Sequence, residues 1–167
     1  YRGSKFYAYN SVLDLSGASL YNDDLANNTD IIVTYDNSHL ILGSNYENLS
    51  DLYTLNTSGG TVEYSGDALN IIDTDYYNLI LSGQGSKTSE NTLNVGGDLT
   101  IKDLASFSSA YTTSVTGLTK IENNSGTPMV FGGNSSTWNM NGGLEIADGT
   151  TLTIGNTADQ AKTINIT

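Results

Sequence analysis

Short apolar runs closed off by Gly, Asn and Asp recur from one end of this chain to the other, and almost nothing repeats at helical spacing. Alternation over so few positions describes half-buried β-strands, because successive strand side chains point to opposite faces. The spacing predicts strands over Ile31–Tyr35, Leu40–Leu42, Thr61–Tyr64, Leu69–Ile72, Leu79–Leu81, Leu93–Val95 and Leu99–Ile101. Further strands are expected over Val115–Ile121, Met129–Phe131, Leu144–Ile146, Leu152–Ile154 and Ile164–Ile166. The best helical candidate is Asn22–Asn27, and the Ser, Asn and Thr around its DDLA run limit it to a single turn.

The strands also repeat. The run VGGDLTIKDLASF, residues 95–107, overlays MNGGLEIADGTTL, residues 140–152, at an offset of 45 positions. Leu99 then falls on Leu144, Ile101 on Ile146 and Phe107 on Leu152, and Leu93 falls on Trp138. A weaker echo puts HLIL, 39–42, on NLIL, 78–81, and another puts GTVEYSG, 60–66, on GTPMVFG, 126–132. Offsets of 39, 45 and 66 are near two or three units of about 20 to 23 residues, the length of one coil in a parallel β-solenoid, or β-helix. A coil of short strands cannot bury its apolar face alone, but stacked coils bury equivalent side chains in a continuous column.

Inward positions are therefore expected at Val62, Tyr64, Leu79, Leu81, Val95, Leu99, Ile101 and Phe107, and further on at Val130, Leu144, Ile146, Leu152 and Ile154. Gly and Asn would supply positive φ at the corners. The structural alternative is a β-sandwich, which also suits several strands at close spacing. One domain over 1–167 is the expectation from length. The first 55 or so residues match the repeat least and read as an irregular capping or intersubunit layer.

Charge narrows the partners. Eighteen acids against six Lys and Arg leave a net charge of −12, too few cations to neutralise a phosphate backbone, so nucleic acid is not expected. Without Cys there are no disulfides, zinc-thiolate sites or thiol chemistry. No apolar run approaches the ~20 residues of a membrane-spanning helix, so membrane insertion is not expected. No signal peptide is visible at Tyr1, and the chain reads as a mature or excised portion of an exported protein.

Residues 60–103 resemble the repeats of very large exported surface proteins of Bacteroidetes-type bacteria. The matching elements are the Gly-Thr-Val strand at Gly60–Val62, the Tyr-Asn-Leu strand ending in Ser-Gly at Tyr77–Gly83, a Lys-Thr turn at Lys87–Thr88 and the Gly-Asp-Leu-Thr-Ile strand at Gly97–Ile101. The resemblance covers about half of the chain, through the second copy ending near Gly155. It implies a parallel β-helix-like array, export, and adhesive or filament-forming roles, and it carries over no catalytic residues.

The side-chain inventory points the same way. His39 is the single histidine, within the apolar SHLIL run, which suits a surface or sheet-edge residue better than a catalytic base. Asp73 and Asp75 beside Tyr76 and Tyr77 are the best local cluster for sugar cleavage, but no Arg is near. The pairs Asp23/Asp24 and Asp73/Asp75 offer carboxylates for Ca²⁺, yet neither makes an EF-hand or a nonapeptide calcium repeat, and turn-forming Asp explains them as well. No cofactor beyond such calcium is expected.

Tyr76, Tyr77, Tyr46 and Trp138 are candidates for stacking on sugar rings, although Trp138 occupies the repeat position of Leu93 and is favoured as core. Acceptor sequons at Asn27, Asn48, Asn56, Asn123, Asn134 and Asn165 are about as frequent as the Asn, Ser and Thr content produces by chance. The resulting expectation is a non-enzymatic structural or adhesive component of the cell surface or of an extracellular filament. The alternative is a carbohydrate-binding module or a polysaccharide-active β-helix protein. Partners in keeping with this are further copies of the chain, assembled into fibres or arrays, and surface glycans.

Overall fold

The computed structural model describes residues 5–17, 30–34, 36–43, 53–57, 59–122, 129–131, 137–150, 152–154 and 163–167. Among them every regular element is a β-strand. In chain order the strands are β1 (Lys5–Ala8), β2 (Val12–Leu15), β3 (Asp30–Thr34), β4 (His39–Leu42), β5 (Tyr53–Thr57), β6 (Thr61–Tyr64) and β7 (Leu69–Ile71). They continue as β8 (Asp75–Tyr76), β9 (Asn78–Leu81), β10 (Gln84–Ser89), β11 (Leu93–Val95), β12 (Leu99–Lys102), β13 (Leu104–Ser109) and β14 (Thr113–Val115). The remainder are β15 (Thr119–Glu122), β16 (Met129–Phe131), β17 (Thr137–Met140), β18 (Leu144–Ile146), β19 (Leu152–Ile154) and β20 (Thr163–Ile166). No helix among the described residues is long and apolar enough to cross a membrane.

The strands form parallel sheets. A seven-stranded sheet runs β18-β15-β12-β9-β6-β4-β2 and a five-stranded sheet runs β20-β17-β14-β11-β8. Three smaller sheets are β13-β10-β7, β1-β3-β5 and β16-β19. Every pairing among the described residues is parallel, so the antiparallel layers of a sandwich are not what these strands build.

Register turns this topology into a core. Leu40 pairs with Val62, Val62 with Leu79, Leu79 with Leu99, Leu99 with Thr119, and Thr119 with Leu144. Two residues along, Leu42, Tyr64, Leu81, Ile101, Ile121 and Ile146 make a second column. On the five-stranded sheet the columns are Leu93–Thr113–Trp138–Ile164 and Tyr76–Val95–Val115–Met140–Ile166. Nearly all of these side chains are buried. The Phe107 and Trp138 rings meet edge to face at 4.9 Å inside, which makes the tryptophan a core residue.

The main repeat and one of the two weaker echoes are real registers. The 45-position offset is two pairing steps, from Val95 through Val115 to Met140, and the 39-position offset runs from His39 through Thr61 to Asn78. The copy between them was hidden because Thr113 and Thr119 replace Leu93 and Leu99 at inward positions. Residues 115–121 are accordingly not one strand: β14 and β15 are separated by a turn. The echo of GTVEYSG in GTPMVFG is not a register, since β6 belongs to the seven-stranded sheet and β16 pairs with β19.

The pairing step is also less regular than 20 to 23 residues, from 17 between Thr61 and Asn78 to 27 between Val12 and His39. Stacking constrains the strands alone, so the connecting corners are free to vary in length.

Corners repeat as well as strands. Gly83 (φ 71°) and Asp103 (φ 61°) occupy equivalent left-handed positions one step apart, and the Leu104 amide donates to the Gly83 carbonyl at 2.9 Å. At another corner Gly97 and Gly117 stack so closely that a Cβ on Gly117 would sit 2.6 Å from the Gly97 carbonyl oxygen. Glycine is needed there for approach of successive backbones.

Several expectations need correction. Ile146 was expected inside and is 43% exposed, because β18 is the outermost strand of its sheet and no described strand lies over it. The side chains of Val130, Leu152 and Ile154, and the Asn22–Asn27 segment, lie outside the described residues. Lys87 and Thr88, expected in a turn, lie within β10, where Lys87 faces inward between Leu69 and Phe107. The Lys87 ammonium is fully buried and donates to the carbonyls of Gly66 (2.6 Å) and Gln84 (2.8 Å).

Desolvation lowers the pKa of Lys87 to about 8 from 10.5, and the charge of Asp67 opposes that shift. Between about pH 8 and pH 10 the unfolded chain binds more protons at this residue than the folded chain, so stability should rise with pH across that window, by at most about 3 kcal/mol. Chemical denaturation at several pH values should show this rise in the native chain and its loss in Lys87→Met, which should also unfold at a higher denaturant concentration at pH 7.

The interior threonines generate a second expectation. Neither Thr113 Oγ1 nor Thr119 Oγ1 has a hydrogen-bond partner among the described residues, although both residues are fully buried. Thr119→Val keeps the shape and removes the desolvated hydroxyl, so it should stabilise the fold by about 1 kcal/mol in thermal or chemical unfolding.

Candidate functional site

Outward side chains are stacked by the same register as the core, and they sort by face. On the seven-stranded sheet the outward residue of β6 is Glu63, between the inward residues Val62 and Tyr64. Its carboxylate is nearly buried: Oε2 lies 2.9 Å from His39 Nε2, Oε1 lies 3.2 Å from Lys102 Nζ, and the Ser82 hydroxyl donates to Oε1 at 2.5 Å. Burial works against the charge, but the Ser82 hydrogen bond together with Lys102 and His39 outweighs it and holds the Glu63 pKa below its ordinary value.

This grouping of Ser, His and Glu is not arranged for nucleophilic catalysis. Catalysis of that kind needs the histidine between hydroxyl and carboxylate so that it takes the hydroxyl proton. Here the carboxylate is in the middle and absorbs both donors. Further along the same face Lys120 Nζ lies 2.6 Å from Glu122 Oε1 and 3.8 Å from Glu145 Oε1. Glu63 with His39 and Lys102, and Lys120 with Glu145, tie different strands of the sheet together, whereas Lys120 and Glu122 lie on the same strand.

The five-stranded sheet carries a counterpart that is neutral except for Asp75 at its end. Asp75, Asn94, Ser114, Asn139 and Asn165 are consecutive partners on its outward face. The Asn165 amide donates to Asn139 Oδ1 at 2.7 Å, the Asn139 amide to Ser114 Oγ at 3.3 Å, and the Asn94 amide to Asp75 Oδ1 at 2.9 Å. At the adjoining corner Asn78 Oδ1 accepts from the Asp98 amide, and Asp98 Oδ1 accepts from the Leu118 amide. Polar side chains thus bind one strand to the next on the outside as apolar ones do on the inside.

The residues singled out from the sequence separate accordingly. Tyr76 is interior: its hydroxyl donates to the Ile72 carbonyl at 2.8 Å and meets the Tyr64 hydroxyl at 2.8 Å, and the two rings pack edge to face. Burial above all, reinforced by Tyr64, raises the Tyr76 pKa well above the ordinary phenol value. Tyr77, the next residue, is outward and 51% exposed. The two rings therefore do not form one platform.

Asp73 and Asp75 are both exposed, and Asp75 is the end of the amide ladder. Among the described residues no three His, Asp or Glu side chains gather as a metal site would require. Asp23, Asp24 and Tyr46 lie outside the described residues. His39 is on a sheet face, where the Glu63 clamp holds it. The clamp was missed in the sequence because its members are scattered from residue 39 to residue 102 and meet only through register.

No family model matches this chain, and neither a curated protein nor a solved structure is similar to it.

Glu63→Gln should destabilise the chain by about 2 kcal/mol at pH 7, since Lys102 and His39 would lose their anionic partner. Because the folded pKa is depressed, the Glu63 contribution is complete above about pH 4.5 and disappears as acid protonates the folded carboxylate. Unfolding midpoints from pH 7 to pH 3 should therefore converge for the native chain and Glu63→Gln.

Proposed function

We propose that this chain is a parallel β-solenoid and that it serves as a non-enzymatic structural or adhesive element of an exported surface or filament assembly. The observation that carries the reading is the continuity of one register through inside and outside alike. Val95, Val115 and Met140 stack in the interior while Asn94, Ser114 and Asn139 stack on the exterior. A chain built in this way propagates along one axis and presents long faces of repeated side chains to its surroundings. The described acids contribute to the reading too, because Glu63, Asp75 and Asp98 are taken up by bonds between strands.

The resemblance of residues 60–103 to repeats of large exported surface proteins supports the same role. In such a protein a stacked array offers reach and a regular surface, with adhesion residing in its outward faces. The chain should coat polystyrene beads and retain them, under flow, on surfaces bearing polysaccharide or matrix protein, or else assemble into fibres visible by electron microscopy after concentration. Beads that wash off every surface, together with monodisperse particles at all concentrations, would sink the proposal.

A further inference from the structure

The outward face of the five-stranded sheet contains one glycine that the fold does not explain. Gly96 follows β11, and its amide donates to the Tyr76 carbonyl at 2.8 Å, which places it opposite Tyr77. A Cβ built there meets nothing nearer than that same carbonyl oxygen, at 3.6 Å, an ordinary contact. Its neighbour Gly97 is different, since a Cβ there would run into Tyr77 and Asn78. Stacking therefore requires Gly97 and leaves Gly96 open to any side chain.

Opposite Tyr77 on the next strand, Gly96 therefore places no side chain. Tyr77 is 51% exposed, while its chain neighbour Tyr76 is sealed in the core. Around Tyr77 lie Asp75, two residues earlier on the same face, the Asn94 amide bonded to it, and Ser114 and Thr116 one strand further. The cations Lys102 and Lys120 are engaged on the other sheet. Asp73 and Asp75 make this end of the face acidic.

From this juxtaposition we infer that Tyr77, with Asp75, Asn94 and the gap at Gly96, is a binding site for a neutral polysaccharide lying along the stack. The flat ring offers its face to the C–H face of a pyranose. The Asp75 carboxylate and Asn94 amide accept from and donate to ring hydroxyls, and Ser114 and Thr116 repeat the polar contacts at the next strand. That strand lies ~4.8 Å on, a distance close to one sugar residue of a linear chain. An anionic glycan is disfavoured by the two carboxylates. This inference rests on the adhesive reading above and names the ligand for it.

The test is calorimetric titration of the full chain with cellohexaose, xylohexaose, chitohexaose and, as the anionic control, hexagalacturonate. One neutral hexasaccharide should bind and hexagalacturonate should not. Tyr77→Ala and Gly96→Val should each weaken that binding at least tenfold with the melting temperature unchanged, whereas Tyr77→Phe should retain it. Failure of all three neutral sugars to bind, tighter binding of hexagalacturonate, or affinity unchanged in both Tyr77→Ala and Gly96→Val overturns the site. Retention of coated beads that persists in both variants would reject this site and leave the adhesive reading standing.

Discussion

Apolar side chains in this protein are buried mainly by the side chains at the matching positions of the strands stacked on either side of them. The strands are too short to shield anything within themselves, so apolar burial comes from matching residues at strand spacing. Ile101, Ile121 and Ile146 belong to one column, yet the first two are fully buried and the third is 43% exposed at the outermost strand. Chemistry is the same at all three positions, and the difference is whether a described strand lies on both sides.

The same requirement organises the polar groups. In-register parallel stacking places like beside like on the outside as well, and like charges side by side would repel. Two solutions are visible. On the seven-stranded sheet acids alternate with cations, as in Lys120 with Glu122 and Glu145, or share them, as Glu63 shares His39 and Lys102. On the five-stranded sheet charge is largely avoided and amides and hydroxyls bond in line. A chain with a net charge of −12 can stack because many of its described outward positions are neutral.

Columns of interchangeable aliphatic residues leave one problem, that strands could pair one step out of place at little cost. The interior exceptions bear on it. Lys87 finds two carbonyls at one corner, and the Tyr64 and Tyr76 hydroxyls meet each other and the backbone of Ile72. Such groups are satisfied in one register and stranded in others, so they discriminate between registers even where, as with Lys87, burial of the charge lowers stability.

From the sequence alone came the β character, the alternation that marks Leu99 and Ile101 as inward, and the offsets that are true multiples of the pairing step. These are local properties: side-chain period and turn residues are set within a few positions. Strands rich in Gly, Ser and Thr, such as β10 and β13, left little local signal, and the copy carrying Thr113 and Thr119 was hidden for the same reason. What only the tertiary structure decided is which residues become neighbours across successive strands. Corner length varies freely, so no sequence spacing announces that Glu63 meets Lys102 or that Gly96 lies opposite Tyr77. Those contacts exist because backbone hydrogen bonding between parallel strands brings Gly96 opposite Tyr77 in one pairing step and Lys102 within reach of Glu63 in two.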